Sequence, residues 1–195
     1  MDTTSASPRP LGLRFATDFA NTDWAPTGGE TEPHGAPAAW RELCATHGDP
    51  ELGEREAEAG ALAAVAAELL AVFAESDPQL AATRVNAALR AHPGPSELAQ
   101  LPDGRWVTRP ALPRDASAAV AARVLISSAL AQWFAERGRC AWGRCAAADC
   151  GRAFIDEGRR TPQRFCSQSC ATRTRVAAHR AAQRGAGSGS GGTAN

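Results

Sequence analysis

Lysine is absent from this 195-residue chain: all 21 basic side chains are arginine. Together with a heavy alanine content this reads as a GC-rich coding bias, and no functional claim rests on the Arg-to-Lys ratio. Long hydrophobic runs are also missing. The longest apolar stretches are short, alanine-rich and interrupted by Glu and Arg, so no membrane span is expected. The polar start, MDTTSASPRP, has no apolar segment behind it; that argues against a secretory signal and makes a cytoplasmic protein the default. No Ser/His/Asp set, Walker loop or dinucleotide fingerprint appears, so an enzyme is not expected. Repeats at solenoid periods are absent as well.

The net charge of zero conceals a division. Residues 1–135 carry 17 acidic and 10 basic side chains, a net of −7, whereas residues 136–195 carry 4 and 11, a net of +7. A basic C-terminal end on an acidic remainder points to an anionic partner. The length accommodates one ordinary core plus a small appended module.

Residues 1–10 read as a disordered leader and residues 185–195, GAGSGSGGTAN, as a flexible tail. Between them, residues 11–137 read as a mainly α-helical domain with one small hairpin. Leu11, Phe15 and Phe19 recur at helical spacing. A second helix is expected after Pro37, ending at Gly48 and Pro50. Residues 51–75 predict a long helix on Leu62, Val65, Leu69 and Val72/Phe73, with Glu complementing its dipole. Ser76-Asp77-Pro78 predicts a cap and a helix burying Leu80, Val85 and Leu89. Asp103-Gly104 predicts a hairpin turn. A final long helix is capped near Asp115 or Ser117 and carries Val120, Val124, Leu130 and Phe134. These stripes read as core rather than as a cofactor site.

Residues 138–184 hold the chemistry. Cys145 and Cys150 form one close pair, Cys166 and Cys170 another, with fifteen residues between. Tetrahedral zinc takes four thiolates from two such local turns, and a module this small needs the folding energy of a metal. A closed four-cysteine set offers no open position, so the expected ion is one structural Zn2+ rather than a catalytic one. Cys140 is a competitor for one ligand place. His179 stands nine residues past Cys170, too far along a helix to return easily. Disulfides are disfavoured by the compartment, and Cys44 reads as a buried apolar residue. The expected local structure is treble-clef-like. A knuckle closes at Gly151, GRAFID forms a strand, QRF returns as its partner, and Ser167 caps a helix with Cys170 in its first turn.

That helix carries Arg173, Arg175, His179, Arg180 and Arg184, with Arg173, Arg180 and Arg184 sharing one face. Arg152, Arg159, Arg160 and Arg164 lie on the hairpin before it. A zinc-held helix studded with arginine can enter a major groove while the hairpin arginines hold phosphates, and the planar guanidinium suits guanine edges. Solvated arginines on an exposed helix are the bland alternative. A third reading docks the basic face on the acidic domain of the same chain.

With these residues in view, the chain resembles the ABATE-domain proteins that end in a CGNR zinc finger, a group described as stress-induced transcription regulators. Phe19-Ala20-Asn21-Thr22 is similar to the family's N-terminal F-A-N-T. Arg144-Cys145, Cys150-Gly151, Phe154, Asp156, Arg159-Arg160, Phe165-Cys166-Ser167 and Cys170-Ala171-Thr172-Arg173 are similar to its zinc finger. The name-giving C-G-N-R reads C-A-T-R here, and the last cysteine pair is one residue closer than in most members. The resemblance implies a helical N-terminal domain that senses or regulates, open to a small effector or protein partner, with the zinc module as output. The expected function is therefore a DNA-binding transcription regulator. RNA binding, and an adaptor that binds an acidic protein surface, are the alternatives.

Overall fold

A computed structural model describes residues 12–24, 35–92, 94–100, 106–158 and 161–187. Leu11, the leader at 1–10, the Asp103-Gly104 turn, Arg159, Arg160 and residues 188–195 lie outside them. The element order is α1 (Leu13–Asn21), α2 (Ala36–Thr46), α3 (Pro50–Gly53), α4 (Ala59–Phe73), α5 (Pro78–Ala91), β1 (Ser96–Gln100), β2 (Trp106–Pro110), α6 (Ala118–Arg137), β3 (Trp142–Arg144), β4 (Ala153–Ile155) and α7 (Gln168–Gly187).

Helices α1, α4 and α6 build the core. Phe15, Phe19, Leu62, Val65, Ile126 and Leu130 are essentially fully buried there. Alanine is small enough to let the helices approach closely, and Ala118, Ala121 and Ala122 of α6 have no exposed surface. Four tryptophans are buried, and each indole N–H finds a main-chain carbonyl: Trp24 on Phe19, Trp40 on Leu52, Trp133 on Ala141 and Trp142 on Val72. An aromatic with one polar atom is cheap to bury when that atom is paired. Helix α6, at 20 residues, is long and apolar enough to cross a membrane, contrary to the expectation that no such stretch exists. Its apolar length reflects its central place, since 56 % of that stretch is buried inside the fold.

The helix expected over 51–75 is two helices. Asp49 caps α3 by accepting from the Leu52 amide at 3.0 Å, and Glu58 caps α4 by accepting from Gly60 at 2.8 Å and Ala61 at 2.6 Å. Between them Arg55 Nη1 donates to the Pro113 and Ala116 carbonyls, which ties the break to the start of α6. Two local caps and a long-range staple outweigh the continuous apolar period. Helix α5 starts at Asp77, which accepts from the Gln79 and Leu80 amides. Leu80 does not face inward; it is 54 % exposed, and Ala81 takes the buried place one turn before Val85. A five-residue separation rotates Leu80 away from Val85, whereas the four-residue separation of Ala81 aligns them. Ser117 caps α6. Strands β1 and β2 pair antiparallel, with Ser96 opposite Pro110 and Gln100 opposite Trp106.

The second hairpin differs from the expected one. Strand β4, within GRAFID, pairs with β3 upstream, Trp142 opposite Ile155 and Arg144 opposite Ala153, and not with Gln163–Phe165. Gly143 makes this possible, because a Cβ there would sit 2.8 Å from the Phe154 ring. The hairpin belongs to the helical core. Trp142, Ala153 and Ile155 pack into it, and Asn21 at the end of α1 clamps β4 like a neighbouring strand. Its Nδ2 donates to the Ala153 carbonyl at 3.0 Å and its Oδ1 accepts from the Ala153 amide at 2.8 Å. Asn21→Ala removes both bonds and leaves a half-buried peptide unit without its partner. The expected loss is about 2 kcal/mol, read as a lower midpoint in chemical denaturation; an unchanged midpoint would show that the clamp carries no energy.

Candidate metal centre

Two short turns bring the four cysteines together. In the first, Cys145 leaves β3 with its amide on the Arg152 carbonyl at 2.8 Å, and the Cys150 amide closes on the Ala147 carbonyl at 3.1 Å. Gly151 then takes φ +63°, the left-handed region that glycine tolerates best. Arg144 Nε braces the turn by donating to the Gly151 carbonyl at 2.9 Å. In the second, Ser167 follows Cys166, and its hydroxyl accepts from the Cys170 amide at 3.3 Å, capping α7. The segment that was expected to be a strand holds the turns together instead: the Ala146 amide donates to the Arg164 carbonyl at 2.8 Å.

The four sulfurs lie within 4.8 Å of one another. Cys150 and Cys166 Sγ are 3.6 Å apart, and Cys166 and Cys170 Sγ 3.7 Å. A tetrahedral ion with Zn–S bonds of about 2.3 Å separates its sulfurs by about 3.8 Å, whereas a disulfide needs about 2.05 Å. The spacing fits a zinc ion and no disulfide. Burial opposes ionisation of Cys145, but the Ala147 and Cys166 amides and the neighbouring thiols outweigh it, bringing this thiol down to about 7. Burial, and donation to the neighbouring sulfurs, push the Cys166 thiol up to about 12. The neighbouring amides and thiols thus favour the thiolate at Cys145, and a divalent cation displaces the remaining thiol protons when it binds. With all four places taken by protein sulfur, the set is one structural zinc site.

The competitors fall elsewhere. Cys140 packs against the helical core, and Cys44 is fully buried in it, its thiol raised to about 12 by burial and by Asp49. His179 lies along α7, its Nε2 3.0 Å from Gln183 Nε2.

The arginines expected to contact nucleic acid are dispersed. Residues 175–184 of α7 are all exposed, so Arg175, Arg180 and Arg184 stand on a helix that projects from the metal centre. Arg175 Nη2 donates to Thr172 Oγ1 at 3.2 Å, so the threonine of the C-A-T-R variant braces an arginine one turn on. Arg173 turns back, with Nη2 3.0 Å from Asp149 Oδ1 and 3.5 Å from Cys170 Sγ. Arg164 and Arg152 are exposed, and the Arg164 guanidinium lies 5.8 Å from the Phe165 ring centre.

Two residues matter more than spacing alone suggests. Asp156 is 3 % exposed and holds the turn after β4. Its carboxylate accepts from Arg139 at 3.3 Å, Gly158 at 3.4 Å and Gln163 at 3.5 Å. Asp149, an ordinary surface acid in the sequence, is the partner of Arg173. Only a motif marks Asp156, and nothing local marks Asp149, because both act on residues brought near by folding. Between α1 and the first turn of α7 runs an open cleft of about 670 Å³, lined by Arg14, Asp18, Asn21, Arg152 and Ser169 among others.

A profile of the ABATE family, described as "Putative stress-induced transcription regulator", matches residues 13–156, well over half of the chain. A profile of the CGNR zinc finger matches residues 142–183. The two overlap across β3, the first cysteine turn and β4. No curated protein matches the chain.

Proposed function

The chain belongs to the ABATE family and ends in a CGNR zinc finger, and on that footing we propose that it is a one-component DNA-binding transcription regulator. The observation that carries this reading is α7. It is anchored at one end by Cys170 in the metal centre, exposed on every side from residue 175 to residue 184, and basic without a single acidic residue. A helix with no core to pack on is a surface for a partner, and its charge selects an anionic one. Arg175, Arg180 and Arg184 are the side chains that reach base edges or phosphates, with Arg164 and Arg152 flanking them. Arg159 and Arg160, which precede Arg164 in the sequence, complete the proposed set. The zinc ion orients α7 and performs no chemistry of its own. An effector in the cleft beside α1 would touch both the helical domain and the start of α7. On this reading the helical domain regulates and α7 is the output, in a cytoplasmic protein.

Selection from a random duplex library tests the proposal. An enriched sequence is the expected result. Salt-labile binding without preference, or tighter binding to RNA, would move the reading to an RNA-binding protein, and capture of acidic protein surfaces alone would move it to an adaptor. Against docking of the basic helix on the acidic domain stands the exposure of residues 175–184 of α7 among the described residues.

A further inference from the structure

Arg173 shares a helical face with Arg180 and Arg184 in projection, yet its guanidinium, although half-exposed, reaches back to the zinc module. Nη2 donates to Asp149 Oδ1 at 3.0 Å and to Cys170 Sγ at 3.5 Å. Asp149 belongs to the first cysteine turn, next to the ligand Cys150, whereas Cys170 belongs to α7. One planar group therefore spans both halves of the ligand set. We infer that Arg173 is a positioning residue of the metal centre, which stabilises the Cys170 thiolate and fixes the angle at which α7 leaves the site.

The physical case rests on charge and shape, and on the reading that the four cysteines hold zinc. Four thiolates around one Zn2+ carry two surplus negative charges, and an N–H donor on sulfur offsets part of that charge while holding the ligand in place. The N-terminus of α7 contributes in the same sense. Both contacts leave Nη2, whose two N–H bonds are fixed in the rigid guanidinium plane; an ammonium has donors enough but no such fixed plane, so it holds the pair less firmly. The side chain lies one turn beyond Cys170, the separation at which helical neighbours meet.

The test uses the full chain and reads the metal, not nucleic acid. Zinc affinity is measured by competition with a chromophoric chelator, and ligand geometry by the charge-transfer and d–d absorption of the Co2+-loaded protein. R173A is expected to weaken zinc binding by about 10- to 100-fold, the usual effect of losing a group that supports a metal ligand, and to shift the Co2+ spectrum. R173K recovers part of the loss. D149N weakens binding in the same direction, and R173A/D149N is no worse than R173A alone. Unchanged zinc affinity in R173A, or losses from the two single substitutions that simply add, overturns the inference. The helical core reports folding independently by circular dichroism, and D149N tests the same bridge should R173A fold poorly. Loss of zinc from the unsubstituted chain would overturn the metal reading itself, whereas failure to bind DNA would leave these measurements intact.

Discussion

Serine in place of Cys145 or Cys166 abolishes zinc binding and unravels residues 161–184, while helices α1–α6 and the β3–β4 hairpin remain folded. The reason lies in how little else holds the second half of the module. Its buried cluster consists of Cys145, Ala147 and Cys170, with Cys150, Phe165 and Cys166 packed around them. That is mostly the ligands themselves. Structural zinc supplies about 10–16 kcal/mol in comparable small modules, far more than one partly buried phenylalanine returns at about 2–3 kcal/mol. The hairpin is different. Trp142, Ala153 and the Asn21 clamp attach it to the main core, which needs no metal. Metal analysis of the unsubstituted protein should give about one zinc per chain, and chelation should remove amide protection from 161–184 while leaving helices α1–α6 protected. Cys140→Ser, on the core side, keeps its zinc. Full zinc retained in Cys145→Ser would sink the assignment, and collapse of the whole chain on chelation would refute the division between core and module.

If α7 grips duplex DNA as proposed, raising salt from about 50 to about 200 mM should weaken binding by about 10²- to 10³-fold, the loss expected when roughly four to six arginines neutralise phosphates. The triple variant R175A/R180A/R184A keeps its zinc but lowers the slope of log affinity against log salt by about 2–3. These three side chains lie on the exposed part of α7, and none of them is hydrogen-bonded to a ligand sulfur as Arg173 is, so the metal centre serves as the internal control. Titrations at several salt concentrations with one labelled duplex measure both quantities. Equal slopes for the variant and the unsubstituted chain would remove α7 from the interface and shift attention to Arg152 and Arg164.

Local patterns carried much of this outcome. The apolar recurrence Leu62, Val65, Leu69 and Val72 depends only on the turn angle of a helix, and those four residues are buried in α4. The cap at Asp77 likewise needs only its neighbours. Where local signals compete, the sequence misleads. Continuous periodicity over 51–75 hid a break, because Arg55 finds its acceptors about 60 residues away. Leu80 suggested burial by type, while its angular position placed a smaller alanine inward.

The sequence by itself determined a mainly helical chain, four thiols in two close pairs, and a basic end set against an acidic remainder. Each follows from residue type and short spacing, which backbone geometry and ligand chemistry convert directly into structure. Only the tertiary structure decided that β4 pairs with β3, that Asn21 clamps the hairpin to α1 across 132 residues, and that Arg173, exposed like Arg175, Arg180 and Arg184, bonds back to Asp149 and Cys170. Those facts depend on which distant surfaces meet when apolar area is buried, and identical arginines on one helix carry no mark of which will find an acid beside it.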